Sequence, residues 1–199
     1  KENNIDKNTV VLFSSDNGPW LRFEKHGGSA GPLRAGKGTT FEGGQRVPTI
    51  FWGPSIVKPG VVHEMGSTLD IINTFSSMAG LDVPNDRKMD GYDLSKVLTH
   101  LDSSPRDIFY YWGFAELHAI RKNNLKLHIK QRQPVNYGSP TINLDNPELY
   151  DLSTDFSEKY DISAKNQELV IDMLESLENH LKDVKGSTPD QLKYKIKDY

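Results

Sequence analysis

The chain has 199 residues, of which 36% are hydrophobic and 26% charged, a balance typical of a globular protein with a buried core. Its formal net charge of −3 argues against the basic surface that nucleic acids require, so we expect no nucleic-acid partner. There is no cysteine, which excludes disulfides, thiolate catalysis and cysteine metal sites, and no apolar run approaches the roughly 18 residues of a membrane span.

The first half of the chain predicts an α/β sheet. Residues 8–15 form a continuous apolar run rich in β-branched side chains, which is typical of a strand buried on both faces in a parallel sheet. Residues 47–52 predict a second strand. Ser67 and Asp70 have the spacing of a capping box, and the helix that they open is expected to end at Gly80. The order strand, loop, strand and helix favours an α/β architecture.

The second half predicts a small antiparallel sheet followed by a helix. Four short strand-like runs appear, at residues 108–112, 117–121, 125–129 and 148–152. Short connections separate the first three runs, and a longer loop is expected over residues 130–147. The strongest helical pattern covers residues 166–184 and places charged residues opposite an apolar face. That face consists of Leu169, Met173, Leu174, Leu177, Leu181 and Val184.

Polar residues follow the first predicted strand, in the order Ser15, Asp16, Asn17 and Gly18. Asn-Gly is a favoured hairpin turn, so a simple turn is one interpretation. However, Pro19 would weaken a returning strand, and α/β sheets bind ligands at the carboxyl ends of buried strands. Asp and Asn offer the hard oxygens that calcium and magnesium prefer. Two oxygens cannot hold such an ion, so the pair would be one part of a metal site.

Lys37 lies in a glycine-rich stretch, residues 31–40, that comes close to a phosphate-binding loop. Gly38 occupies the position where that loop needs a hydroxyl, and no apolar strand leads into the glycines. These departures argue against nucleotide binding. A lysine flanked by glycines can still present its ammonium group to another anion, although an ordinary surface lysine fits the same pattern.

Other polar residues favour structural roles. Residues 42–48 are expected to form a turn into the second strand, in which Arg46 pairs with a carboxylate beneath the site. The six histidines are scattered along the chain. Of these, His118 and His128 fall in the strand-like region and could line a cleft, but a half-buried histidine that packs within the fold is the more usual case.

Taken in order, these motifs resemble those of the sulfatase family, in its arylsulfatase A-like branch. The resemblance extends from about residue 8 to residue 162, and its most specific part is the pairing of Ser-Asp-Asn-Gly with Gly-Lys-Gly-Thr-Thr at this spacing. The matching segments are residues 10–18, 31–48, 67–70, 90–94 and 149–152, the last together with Asp155 and Glu158.

The resemblance implies a fold and a division of the chain. Residues 1–100 would be the C-terminal part of an alkaline-phosphatase-like α/β catalytic domain. Residues 101–199 would form a small C-terminal subdomain, in which an antiparallel sheet packs with the helix at 166–184. Both halves would belong to a calcium-dependent hydrolase of sulfate esters.

The resemblance also implies roles for individual residues. Asp16 and Asn17 would help to hold the metal of the family, usually Ca²⁺, with Mg²⁺ as a possibility. Lys37 would contact the sulfate ester and offset charge on its oxygens as the S–O bond breaks. His118 is a weaker candidate for substrate contact. The substrate would be a sulfated carbohydrate or an aryl sulfate, with loops 19–30 and 130–147 governing the choice. The family suggests a periplasmic, secreted or lysosomal location.

The sequence departs from the family in lacking its nucleophile. That nucleophile is a formylglycine made from Cys or Ser in a Cys/Ser-x-Pro-x-Arg motif, upstream of all the matching segments. The nearest match, Ser103-Ser104-Pro105-Arg106, has its arginine one place too early and follows the lysine loop. We therefore expect the C-terminal portion of a sulfatase, which needs the N-terminal portion as its partner and is inactive alone. A phosphoesterase of the same superfamily and a non-catalytic sulfatase-like binding module are the alternatives.

Overall fold

A computed structural model describes residues 2–113, 115–132 and 140–187 of the chain. Their contacts form two compact units, one made of residues up to Ser14 with Pro48–Asp107, the other of Ser15–Val47 with the described residues from Ile108 onward. No helix in these described ranges is long and apolar enough to cross a membrane. In chain order the strands and helices are β1 Val11–Ser14, α1 Glu42–Gln45, β2 Thr49–Trp52, α2 Ile71–Met78, α3 Ser95–His100, β3 Ile108–Gly113, β4 Glu116–Lys122, β5 Leu125–Arg132, β6 Thr141–Asp151 and α4 Gln167–Ser187.

The first unit contains a two-stranded sheet, in which β1 pairs antiparallel with β2. On one face of this sheet, Phe51 packs edge-on against Phe75 of α2 with 6.4 Å between ring centroids. The opposite face is apolar and open, with exposed fractions of 47% for Val11, 65% for Phe13, 59% for Ile50 and 45% for Trp52. Among the described residues β1 has a single, antiparallel neighbour and packs on one side, so the predicted parallel pairing and second buried face are not seen there.

The capping box predicted for the helix in this unit is confirmed. The Ser67 hydroxyl accepts from the Leu69 N–H, and the Ser67 N–H donates to Asp70 Oδ2 at 2.7 Å. Helix α2 ends at Met78, and Gly80 follows in the left-handed conformation with φ +69°. The Asp70 carboxylate also holds Arg106 in a buried ion pair, with Nε donating to Oδ2 at 3.0 Å. The arginine of the near-match motif therefore has a structural partner.

The second unit is built on a four-stranded antiparallel sheet, as the sequence predicted, and its strands lie in the order β3-β4-β5-β6. Strand β5 continues to Arg132 and β6 starts at Thr141, so the expected loop over residues 130–147 is shorter than predicted. Residues 133–139 of that loop lie outside the described residues. Helix α4 and three strands share a core made of Leu117, Ile120, Leu127, Leu149, Val170, Met173 and Leu177.

The contacts of residues 15–47 differ from the predicted division of the chain. This segment, which contains the lysine loop, groups with the antiparallel sheet rather than with the strands that flank it in sequence. The boundary between residues 100 and 101 stays a prediction. The observed grouping places every candidate site residue, from Asp16 to His118, in the second unit.

Candidate functional site

The turn that follows β1 is held against the short helix α1. The Ser15 hydroxyl donates to the Asn17 carbonyl at 2.8 Å, and the Gly18 N–H donates to the Gly44 carbonyl at 3.0 Å. A Cβ atom at Gly18 would lie 1.8 Å from the Gly43 carbonyl oxygen, so only glycine permits this approach. The turn does not join two paired strands, since the partner of β1 is β2.

Asp16 and Asn17 occupy this turn, with Asp16 exposed and Asn17 half-buried. Their oxygens suit a hard divalent cation, and the exposure of Asp16 leaves its carboxylate accessible. In the part of the chain that the structure describes, no group of three or more His, Cys, Asp or Glu side chains could hold a metal ion. The two residues therefore fit a metal site as a partial donor set, which other ligands must complete.

The lysine loop is tied to the residues immediately after this turn. The Lys37 N–H donates to the Pro19 carbonyl at 2.9 Å, and the Thr39 hydroxyl closes the loop by donating to the Gly36 carbonyl at 2.9 Å. A Cβ at Gly36 would lie 2.4 Å from the Pro19 oxygen. The structure thus joins the two stretches that the sequence analysis singled out, through backbone contacts at Pro19 and Gly44.

The Lys37 side chain is half-buried and lies 5.6 Å from the Trp20 ring centroid. Within the described ranges its ammonium group forms no ion pair, so its charge is available to a ligand. The phosphate-loop geometry is absent, because the loop is preceded by an irregular 3-10 segment at Leu21–His26 and α1 begins only at Glu42. The structure gives no support to nucleotide binding by Lys37.

A buried ionic cluster underlies the lysine loop and is not among the features predicted from the sequence. The Lys126 ammonium group lies 2.9 Å from Glu42 Oε1 and 3.1 Å from Glu158 Oε1, and all three side chains are at most 2% exposed. Glu158 also accepts the Glu42 backbone N–H at 2.7 Å and contacts His128 Nε2 at 2.8 Å. We refer to these four residues, Glu42, Lys126, His128 and Glu158, as the buried ionic cluster.

The protonation states of the cluster follow from burial and pairing. Burial is the largest influence on Glu42 and opposes its ionisation, but Lys126 and Arg121 outweigh it and hold the pKa of Glu42 below its ordinary value. Burial also opposes ionisation of Glu158, yet the hydrogen bond from His128 and the charge of Lys126 lower the pKa of Glu158. Burial lowers the pKa of His128, which is therefore neutral at pH 7. Two carboxylates and Lys126 thus carry the charge.

The sequence holds a signal for this cluster, although it is incomplete. In β5, Lys126 and His128 alternate with Leu125, Leu127 and Ile129, which indicates one polar and one apolar face. Such a polar face is ordinarily exposed to solvent, and nothing in the sequence around β5 shows that residues 34–44 cover it. The predicted ion pair of Arg46 is not seen among the described residues; Arg46 is exposed, and Glu42 makes the buried contacts instead.

His118 lies on β4 and is completely buried. Neither of its ring nitrogens has a hydrogen-bond partner among the described residues, and its ring packs where a Cβ at Gly113 would come within 2.2 Å of Cε1. Burial lowers the pKa of His118 to about 4. These features favour a packing role, and substrate contact by His118 stays a prediction.

Comparison with known families assigns both halves of the sequence. The family model described as Sulfatase matches residues 1–81, and the model described as C-terminal region of aryl-sulfatase matches residues 104–197. Arylsulfatase A from Bos taurus is 36% identical over 184 residues, which cover 85% of this chain and 36% of that protein. N-acetylgalactosamine-6-sulfatase from Rattus norvegicus is 46% identical over 127 residues, covering 63% of this chain and 24% of that protein.

A solved structure agrees with these sequence matches. The PsFucS1 sulfatase from Pseudoalteromonas sp. superposes with a TM-score of 0.85 at 25% identity, over 94% of this chain and 39% of that one. The matched regions therefore cover from about a quarter to about two-fifths of the length of these relatives. The likeness confirms the predicted fold class, an α/β sulfatase part with a small antiparallel sheet and a helix.

Proposed function

Because the chain belongs to the sulfatase family, in its arylsulfatase A-like branch, we propose that it forms the C-terminal part of a sulfuric ester hydrolase. The observation that carries this proposal is the backbone contact between two motifs of the family. The Asp16-Asn17 turn and the Lys37 loop meet through the Pro19–Lys37 and Gly18–Gly44 hydrogen bonds. A cation and two hard oxygen donors are thereby supplied to one region.

In the proposed reaction, Lys37 binds the sulfate group of the ester. Its ammonium group forms no ion pair within the described residues, and the backbone on both sides of it is fixed by hydrogen bonds from Lys37 and Thr39. A cation placed in advance stabilises the negative charge that grows on the ester oxygen as the S–O bond breaks. Lys37 would therefore contribute to the chemical step as well as to binding.

Asp16 and Asn17 would supply two of the oxygen ligands of a divalent metal, Ca²⁺ with Mg²⁺ as the alternative. Such a metal, when bound, provides Lewis-acid charge next to the sulfate. The remaining ligands and the formylglycine nucleophile would come from the N-terminal portion of the sulfatase, because no Cys/Ser-x-Pro-x-Arg motif is present in these 199 residues. We therefore expect this chain to be inactive without that portion.

The open face of the β1–β2 sheet is the surface we assign to the N-terminal portion. Val11, Phe13, Ile50 and Trp52 share this face, because cross-strand partners in an antiparallel pair point to the same side. Each is between 45% and 65% exposed. Four large apolar side chains on one sheet face are typical of a surface that another part of a protein covers.

The proposed substrate is a sulfated carbohydrate or an aryl sulfate. Relatives named for arylsulfatase and for N-acetylgalactosamine-6-sulfate hydrolysis support both classes. We expect residues 19–30 and 130–147 to govern the choice between them, since connecting segments vary more readily than the strands that position them.

The proposal is tested by turnover in the full-length protein that carries this chain. We expect hydrolysis of an aryl sulfate to exceed that of the matching aryl phosphate, and Lys37→Met to lower kcat by about 100-fold or more. Lys165→Met, at an exposed lysine outside the site, is the matched control and should leave the rate unchanged. Preference for the phosphate ester, or full activity of Lys37→Met, would reject the proposal.

A further inference from the structure

The buried ionic cluster connects parts of the chain that are far apart in sequence. Glu42 lies 84 positions from Lys126 and 116 from Glu158, yet the Lys126 ammonium group contacts the carboxylates of both Glu42 and Glu158. Tyr111 and Arg121 also face Glu42, with the Tyr111 hydroxyl donating to Oε1 at 3.2 Å and Arg121 at 3.5 Å from Oε2. A buried charge is unfavourable unless it is paired with good geometry, so each partner restricts where the others can sit.

Glu42 transmits this restriction to the backbone around Lys37. It is the first residue of α1, and Gly44 in the same helix packs on the lysine loop. A Cβ at Gly44 would lie 2.5 Å from the Thr39 oxygen and 2.6 Å from the Gly36 oxygen. Since these two carbonyls flank Lys37, any shift of α1 displaces the segment that carries the ammonium group.

A second tether holds the other side of the loop to the same region. Arg34 Nη1 donates to the Glu158 carbonyl at 2.7 Å and lies 3.3 Å from the Tyr150 hydroxyl. Its guanidinium also stacks over the Phe41 ring at 4.0 Å. The Arg34 carbonyl in turn accepts the Gly43 N–H at 2.8 Å. Glu158 thus fixes the loop both before and after Lys37.

We propose that Glu42, Lys126 and Glu158 are positioning residues for Lys37, so that the antiparallel sheet sets the place of the sulfate-binding ammonium group. The inference rests on the proposed function of Lys37. An ion pair that served only the stability of the sheet would not need to bond to the loop or to the helix that packs on it. Here the Glu158 carbonyl accepts from the Arg34 side chain of the loop, and the Glu158 carboxylate accepts from the N–H of Glu42, at the start of α1.

The first test measures the loop without reference to activity. In the full-length protein, Glu42→Gln keeps the shape of the side chain and removes its charge. We expect hydrogen exchange of the Lys37, Thr39 and Gly44 amides to accelerate at least tenfold, while the amides of β4 and β5 keep their protection. The matched control is Asp172→Asn, which removes a carboxylate from an exposed pair with Lys122 on the same sheet and should leave these rates unchanged.

The second test measures kinetics per folded molecule. We expect Glu42→Gln to lower kcat by 10- to 100-fold, since a displacement of about 1 Å is enough for that loss, while KM changes less. Glu158→Gln keeps an oxygen for the Glu42 N–H and should retain more activity than Glu158→Ala. If Glu42→Gln does not fold, Tyr111→Phe, which removes a single hydrogen bond to Glu42, should give the same pattern on a smaller scale.

The outcomes separate the two proposals. Two outcomes would overturn the positioning role and leave the function of Lys37 in place. One is that hydrogen exchange in the loop of folded Glu42→Gln is unchanged. The other is that exchange in Glu42→Gln is faster but its kcat is full, while Lys37→Met is inactive. Full activity of Lys37→Met would overturn the function of Lys37, and with it the positioning of a catalytic group. Faster exchange together with reduced kcat supports both proposals.

Discussion

Replacing His118 should change how the stability of the protein depends on pH. His118 is completely buried, and neither ring nitrogen has a hydrogen-bond partner in the described part of the chain. Leu is apolar and of similar volume, and it is shorter than the ring that packs on Gly113. His118→Leu therefore removes the titrating group while leaving the site on β4 filled.

The magnitude follows from the pKa of His118. Burial lowers this pKa to about 4 from the ordinary 6.5. The charges of Lys130 and Arg132 act in the same direction, and the charge of Glu116 acts against it. Between pH 6.5 and pH 4 the unfolded chain binds a proton that the folded chain does not, so the stability of the parent falls as the pH falls through this window. At about 1.36 kcal/mol per pKa unit, this one group removes about 2 kcal/mol of the free energy of unfolding between pH 7 and pH 5.

Urea unfolding at pH 7, 6 and 5, followed by circular dichroism, measures this difference. The free energy of unfolding of His118→Leu should decline between pH 7 and pH 5 by about 2 kcal/mol less than that of the parent. His63→Leu, at a histidine that is exposed in the folded protein, is the control for a histidine-to-leucine change at the surface. An identical slope for His118→Leu and the parent would refute the argument that His118 stays neutral when folded. The comparison is between slopes, so any packing cost that is the same at every pH cancels.

Three further predictions concern the metal, the buried arginine and the open sheet face. Chelation of divalent metal should abolish sulfate-ester turnover by the full-length protein, and added Ca²⁺ should restore it. Asp16→Asn should raise the Ca²⁺ concentration needed for half-maximal turnover by about tenfold or more, measured by titrating the rate with Ca²⁺. Arg106→Met should lower the free energy of unfolding by about 3–5 kcal/mol, since it leaves the Asp70 carboxylate buried and unpaired, and the Asp70→Asn/Arg106→Met double variant should recover part of that loss in the same urea assay. Phe13→Ser with Trp52→Ser should reduce binding of a hydrophobic dye to the isolated chain and weaken its association with the N-terminal portion in a titration; unchanged dye binding would show that this face is not the exposed apolar surface.

The local features of the fold could be predicted from the sequence. The capping box at Ser67, the helix at residues 166–184 and the strands at 108–112 and 117–121 depend on residues close together in the chain, and each appears in the structure within a few positions. The Asp16-Asn17 turn and Lys37 were identified in the same way. Their roles in metal and sulfate binding stay predictions.

The features that the sequence did not predict depend on contacts between distant residues. A continuous apolar run such as 8–15 indicates a buried strand but does not identify its neighbour, and β1 pairs antiparallel with β2, whose partner residues lie 35 to 41 positions later. The alternation in β5 indicates a polar face, but nothing in it predicts that this face is buried. Its burial follows from Glu42 and Glu158, which precede and follow β5 in the sequence. When residues far away in the sequence bury a strand face, the sequence of that strand carries no pattern that predicts it.

The glycines between the turn and the lysine loop have a consequence for how the family can diversify. Gly18, Gly36, Gly43 and Gly44 bring backbone directly against backbone, at distances that no side chain could occupy. The separation between the oxygen donors at Asp16-Asn17 and the segment that carries Lys37 is therefore independent of the side chains around it. In the proposed enzyme, residues in the exposed loops could then be exchanged while the spacing between the proposed metal ligands and Lys37 is kept.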